Sequence, residues 1–373
     1  MGVGCRKERG VARIKRLGIL TGGGDCPGLN AVIRAVTKSA INNEIEVVGI
    51  AEGFGGLVNG LVRRLSENDV SGILPRGGTI LGTSNRDDPF KFAVPQPDGS
   101  IEYKDLSAKA MENFDLIGMD ALIVAGGDGS QTIALKLCDM GMPIVGIPKT
   151  IDNDLMATDI TFGFDTALQT ATEAVDKLHT TAESHHRVMV LEVMGRNSGW
   201  IALMSAIAGG GDVVLIPEIQ FSFDSVAKSI LARKEHGKRF SIVVVAEGAR
   251  LPDGEQVSRT NPSGAKVLGG IGDLLTREIE TRTNMETRVT VLGHLQRGGI
   301  PSPFDRILAT RFGVKAVELV MAKEFRRMVC LHTPNISSVP LEEAVSQQRT
   351  VPPSGEVVRF ARAIGMSFGD EYA

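Results

Sequence analysis

The feature that most constrains this chain is a recurring unit: a short apolar run, a turn rich in glycine or acid, then a stretch with helical periodicity. Arg16–Thr21 (RLGILT) is the first run, followed by a glycine loop and a helical pattern from Leu29 to about Ala40. Glu46–Ile50, Asp120–Ala125, Pro143–Ile147, Arg187–Val193, Val213–Ile216, Ser241–Ala246 and Arg288–Leu292 read as further buried strands. Strands alternating with helices predict an α/β chain with parallel sheets covered on both faces, because a crossover helix returns each strand to the same end. In such sheets ligands sit beyond the carboxyl ends of the strands, where the glycines and acids of this sequence fall. Phe92–Lys104 and Leu251–Gly264, with their proline and Asp-Gly pairs, read as surface excursions, and Thr333–Gly355 as a tail wrapping the surface.

The 373 residues, 42% hydrophobic and 23% charged, suit two domains or one large α/β body. A formal net charge of −3 supplies no global basic field, so no nucleic-acid partner is expected. No apolar run reaches membrane-spanning length, so no membrane partner is expected either. The start, MGVGCRKERGVARIKR, is not followed by a signal-peptide core, and Arg6 stands where a myristoylation motif wants Ser or Thr; it reads as a basic tail. Cys5, Cys26, Cys138 and Cys330 lack metal-ligand spacing and read as free thiols in a reducing, cytoplasmic compartment.

Five segments carry chemistry. In LTGGGDCPGLN (Leu20–Asn30) three glycines between strand and helix let backbone N–H groups approach a polyanion, or simply make a tight turn. It is neither a Walker A loop, since Leu29-Asn30 stand where Lys and Ser/Thr belong, nor the dinucleotide fingerprint, since Pro27 replaces the third glycine. AGGDGSQT (Ala125–Thr132) repeats the arrangement with Asp128 in the turn, either a Mg²⁺ ligand beside phosphate oxygens or a helix N-cap. In GIPKTIDNDLMATD (Gly146–Asp159), Asp152 and Asp154 share one side if the segment is extended, and close carboxylates make a general base. Turn chemistry is the bland alternative, made less economical by Lys149 and Thr150. VMGRNSGW (Val193–Trp200) and TRVTVLGHLQRGG (Thr287–Gly299) place Arg196, Arg288 and Arg297 at strand ends, able to hold phosphate oxygens or to sit solvated.

Taken in order, TGGGDCPGLN, GGTILGTSNRDDP, GGDGS, PKTIDNDL, HHRVMVLEVMGR and VLGHLQRGG resemble the phosphofructokinase family over Leu20–Gly299, continuing through Asp305-Arg306. The resemblance implies two Rossmann-like three-layer α/β/α domains with mostly parallel sheets and an active site in the cleft between them. The larger, donor-binding domain would comprise residues 1–163 plus about 295–345, and the smaller, sugar-phosphate domain 164–294 plus about 346–373. The implied reaction moves the terminal phosphoryl group of ATP onto the 1-hydroxyl of fructose 6-phosphate with Mg²⁺.

Carried over by motif, Asp152 is the implied base, Asp128 the metal acid, Asp154 a member of the same polar cluster and Thr150 a hydrogen-bond partner of the transferring phosphate. Gly24, Arg86, Gly127, Asp128, Gly129, Ser130 and Lys149 fall on the donor site. Arg187, Met194, Gly195, Arg196, Glu247, Arg288, His294 and Arg297 join Thr150 and Asp152 on the sugar-phosphate site, with Arg196 stabilising charge on the moving group. In similar enzymes the arginines matching Arg187 and Arg288 reach in from a neighbouring subunit, implying a homo-oligomer, usually a tetramer, although a dimer stays open. Gly129 leaves room for the α-phosphate of a nucleotide and favours ATP, whereas Lys149 is common among pyrophosphate users, so a pyrophosphate-dependent enzyme is the alternative. A non-catalytic sugar-phosphate sensor and a nicotinamide dehydrogenase are further alternatives; the first is disfavoured by the retained Asp128 and Asp152, the second by the absent fingerprint. Arg34, Lys38 and His179 lie near where short bacterial relatives bind effectors.

Overall fold

The computed structural model describes residues 13–260 and 266–371. Most of the basic N-terminal stretch, with Cys5, lies outside the described residues, as does part of the Leu251–Gly264 excursion. The chain enters with β1 (Arg16–Thr21), β2 (Glu46–Ile50) and β3 (Val62–Leu65). It passes through β4 (Phe92–Pro95) and β5 (Ile101–Lys104), then returns with β6 (Ala121–Gly126), β7 (Ile144–Thr150) and the short β8 (Phe162–Gly163). Next come β9 (Val188–Val193), β10 (Val213–Leu215), β11 (Ser241–Ala246), β12 (Ser258–Thr260), β13 (Lys266–Leu268) and β14 (Thr287–Val291). Finally β15 (Arg327–His332) and β16 (Asn335–Pro340) rejoin the first sheet.

That sheet has the order β16-β15-β7-β6-β1-β2-β3, with β8 beside β7; its interior pairs are parallel and its two edge pairs antiparallel. The second sheet, β10-β11-β9-β14, is wholly parallel. Parallel strands with helices on both faces are buried on both sides and read as near-continuous apolar runs. Accordingly every residue of β6, β9 and β11 is buried. One continuous apolar cluster contains residues of both sheets, such as Ile19, Ile123, Leu191 and Val244.

One sequence reading needs correction. Thr333–Gly355 is not merely a surface wrap: Asn335–Pro340 is an edge strand, and Leu341 and Ala344 are buried after it. Antiparallel edge pairing tolerates the polar, half-exposed run that hid this strand. Phe92–Lys104 lies at the surface as read, with Phe92–Val94 half-buried, and forms the two-stranded ribbon β4–β5, closed by a turn at Asp98-Gly99. The part of Leu251–Gly264 that is described leads into the ribbon β12–β13.

The chain crosses between sheets at Gly163, entering helix Phe164–His185, and again at Ser302, entering helix Pro303–Ala322. The two helix starts cap each other. Asp305, fully buried, accepts hydrogen bonds from Gly163 N (2.9 Å), Thr166 N (2.8 Å) and Thr166 Oγ1 (2.5 Å). Ser302 N donates to Thr166 Oγ1 at 2.9 Å, and Ser302 Oγ donates to Asp165 at 2.5 Å. These bonds satisfy orphan N–H groups of both first turns and fix the angle at which the chain leaves one sheet for the other. Asp305→Ala strands two buried N–H groups and is expected to lower stability by about 3 kcal/mol in urea unfolding. An unchanged midpoint would show that the crossover does not depend on this carboxylate.

Candidate active site

The adjacent parallel strands β7, β6 and β1 end side by side, and the segments beyond them line one cavity of about 640 Å³. Gly23 and Gly24 follow β1, Gly127–Ser130 follow β6, and Lys149 and Thr150 end β7. Asp152 and Asp154 come next, Arg86 reaches in from the Ser84–Asp88 loop, and Arg196 and Arg297 close the cavity from beyond β9 and β14. Asp128 and Asp152 thus face the same space.

The glycine loops are braced by their own backbones. Gly22 N donates to Ala125 O at 2.9 Å, joining the β1 and β6 turns, and Gly23 N donates to Ser84 O at 3.0 Å. Thr83 Oγ1 donates to Gly23 O at 2.6 Å. Two cations hold the next two carbonyls: Lys149 Nζ donates to Gly24 O, and Arg297 Nη1 donates to Asp25 O at 3.1 Å. Lys149 is 3% exposed, and burial pulls its ammonium below the ordinary lysine value.

Asp128 begins helix Asp128–Asp139 rather than capping it; the N-cap is Gly127 and no side chain caps this end. Its carboxylate is free to face the cavity beside the positive end of the helix. A Cβ built on Gly129 meets nothing within 4 Å, so that side of the cavity is open. Of the two local readings, pleat or turn, the segment holding Asp152 and Asp154 takes the turn. Asn153 has φ 52°, and its Oδ1 accepts from Thr161 N at 3.1 Å, so a turn rather than a pleat brings the two acids together.

Crowding of acids governs the electrostatics. Burial raises Asp152, opposed by Arg297 and Lys149. Asp154 is pushed up to about 6 by burial and then by Asp152. Glu247 is pushed up to about 7 by burial, then by Asp152 and Glu192. Burial also raises Asp128. A crowded acid site beside a helix N-terminus and several cations suits a polyphosphate with a divalent cation. Among the described residues no group of three or more His, Cys, Asp or Glu forms a metal cage. Mg²⁺ needs none, since one or two carboxylates plus phosphate oxygens and water hold it, and Asp128 supplies such a carboxylate.

Around β9 and β11, Gly195 has φ 141°, and a Cβ there would come 2.6 Å from Ser198 O, so the turn into Arg196 requires glycine. Met194 N donates to Gln296 Oε1 at 2.8 Å, tying this turn to the 3₁₀ turn Gly293–Gln296 that carries the exposed His294. Met194, Gly195, Glu247 and His294 lie outside the lining of the cavity, although Glu247 feels Asp152 and Arg297. Arg187 and Arg288 are not brought to the cavity either. Arg187 pairs with Glu286 at 2.9 Å, and Arg288, about half exposed, pairs with Glu286 and with Glu280 at 3.6 Å. Arg34 and Lys38 lie on helix Leu29–Asn42, whereas His179 lies on helix Phe164–His185 and binds Gly209 O at 2.7 Å.

Sequence reasoning missed Ser84, Asn85, Asp87, Asp88 and Lys136 of the lining. All but Lys136 lie in the GGTILGTSNRDDP segment, and its place among the motifs that carry the family resemblance was the available signal. It also missed buried Glu192, which accepts from Gly272 N at 2.8 Å and caps helix Ile271–Thr283 behind Glu247.

A family model described as Phosphofructokinase matches residues 16–320. The ATP-dependent 6-phosphofructokinase 2 of Clostridium perfringens is 52% identical over 363 residues, covering 96% of this chain and 99% of that one. The ATP-dependent 6-phosphofructokinase of Chloroflexus aurantiacus is 51% identical over 362 residues, covering 97% and 99%. The crystal structure of Pichia pastoris phosphofructokinase in the T-state aligns with TM-score 0.76 at 35% identity over 91% of this chain; the chain spans only 36% of that protein's length.

Glu247 holds its proton more tightly folded than unfolded, where the ordinary value is 4.5. Its stabilising contribution is therefore complete below about pH 4.5 and is lost as pH rises to about 7. Raising pH from about 5 to about 7.5 is expected to lower Tm more in the parent than in Glu247→Gln, which cannot titrate. Equal losses in differential scanning fluorimetry would contradict the burial of this acid.

Proposed function

The chain belongs to the phosphofructokinase family, and we infer that it is an ATP-dependent 6-phosphofructokinase. It transfers the terminal phosphoryl group of ATP to the 1-hydroxyl of fructose 6-phosphate, giving fructose 1,6-bisphosphate in glycolysis. The observation supporting the site assignment is the single cavity that both glycine turns, Asp128, Asp152 and two arginines line together.

In this reading Asp152 accepts the proton of the sugar hydroxyl as its oxygen approaches phosphorus. Its raised proton affinity, a consequence of burial, makes it a better base than a solvated aspartate. Thr150 and Arg196 contact the transferring group, Arg196 supplying charge where negative charge develops. Gly24, Arg86, Gly127, Gly129 and Ser130 receive the nucleotide phosphates, and Lys149 keeps the β1 loop in place beneath them. Asp128 would hold Mg²⁺, which would supply neutralisation of phosphate charge, and Asp154 supports that acid cluster. Met194, Gly195, Glu247, His294 and Arg297 recognise the sugar phosphate.

Arg187 and Arg288, which do not line the cavity of their own chain, are assigned to the sugar-phosphate site of a neighbouring copy, which makes the enzyme a homo-oligomer, a tetramer in the reading favoured here. The donor domain comprises residues 1–163 plus about 295–345, and the acceptor domain 164–294 plus about 346–373. The enzyme works in the cytoplasm; among the described residues no helix is long and apolar enough to cross a membrane.

A coupled assay for fructose 1,6-bisphosphate, run with MgATP and separately with magnesium pyrophosphate, tests the reading. Turnover with MgATP is expected to exceed that with pyrophosphate by at least about a hundredfold, since Gly129 leaves the nucleotide side open. Turnover with pyrophosphate alone would reverse the donor assignment.

A further inference from the structure

Arg196 leaves the end of β9 on a short turn, and a flexible side chain acts reproducibly only if its backbone is fixed. That turn touches the one after β11. Gly248 N donates to Gly195 O at 3.1 Å, and a Cβ on Gly248 would come 1.9 Å from Arg196 O. The facing carbonyls of Arg196 and Gly248 take both amide hydrogens of one side chain: Gln256 Nε2 donates to Arg196 O at 2.9 Å and to Gly248 O at 2.8 Å.

Gln256 is itself held firmly. Arg250 and Gln256 pair as an antiparallel bridge across a tight turn, in which Leu251 N donates to Glu255 O and Gly254 N to Leu251 O, each at 2.8 Å. Glu255 N donates to Asp253 Oδ1 at 3.0 Å, and Gln220 Nε2 anchors the turn through Pro252 O at 2.7 Å. The surface excursion read from sequence therefore aims an amide at the joint between two active-site turns.

We propose that Gln256 is a positioning residue for phosphoryl transfer: it fixes the backbone from which Arg196 reaches the moving phosphoryl group. The proposal rests on the role assigned to Arg196 above. A purely structural brace would change stability and leave catalysis alone. A positioning brace acts through Arg196, so its loss matters only while Arg196 is present.

The test is a double-mutant cycle on the full chain with MgATP and fructose 6-phosphate, combining Gln256→Met with Arg196→Lys. Gln256→Met keeps length but removes both N–H groups. It is expected to lower kcat about tenfold with both KM values within about twofold of the parent. In the Arg196→Lys background the same change is expected to cost less than about twofold. Gln256→Glu, which points oxygen at two carbonyls, provides a second variant and is expected to lose at least as much. Equal losses in both backgrounds, or a drop in Tm with kcat intact, overturns the proposal for Gln256 alone. A near-normal kcat in Arg196→Lys by itself overturns the role of Arg196, and the proposal with it.

Discussion

A carboxylate leaves water only against compensating charge, and the centre of this molecule is organised around that requirement. Asp152, half-buried just beyond the end of β7, has Arg297 and Lys149 as its cationic neighbours. Both cations also hold carbonyls of the β1 glycine loop, at Asp25 and Gly24. The charges that keep an acid tolerable in the interior therefore also fix the loop on the donor side. Asp154 and Glu247, pushed up by burial and by Asp152, mark how much negative charge this space already carries. A polyphosphate can enter only with a divalent cation and with further positive ends, which Arg196, Arg86 and the start of helix Asp128–Asp139 provide.

The two sheets exist, in functional terms, to bring strand ends into register around that space. β7, β6 and β1 are neighbours in one sheet, and β9 and β14 are neighbours in the other. The reciprocal capping of Asp305, Thr166 and Ser302 sets how the chain crosses from one to the other. Gln296, fully buried, joins the β14 end to the β9 end through Met194. Removing solvent and fixing groups before reaction is how positioning and charge accelerate phosphoryl transfer, which asks little other chemistry of the protein.

Much of this was readable in the sequence, and the limits are physical. Strands such as Arg16–Thr21 and Ser241–Ala246 announced themselves because burial on both faces confines polar residues to their ends, at Arg16, Thr21 and Ser241. Asn335–Pro340 did not, since an edge strand keeps polar residues and sits among prolines and serines. Glycine loops and acids located the cavity, but the Asp152–Asp154 spacing left a pleat and a turn both open, and only the fold shows Asn153 making a left-handed turn. Lys149 could be named, yet only the fold shows its ammonium turned onto Gly24 O. Glu192, Gln256 and Gln296 act through partners 60 to 102 residues away, a relation no local pattern encodes.

The central claim is that Asp152 takes the sugar proton inside the cavity it shares with Asp128. Asp152→Asn keeps the shape and hydrogen-bonding reach of the side chain but abolishes its basicity. Steady-state turnover combined with calorimetric titration of fructose 6-phosphate separates chemistry from binding. The account predicts a fall in kcat of about a thousandfold or more with the sugar Kd within a few-fold of the parent. Turnover within about tenfold of the parent would contradict it.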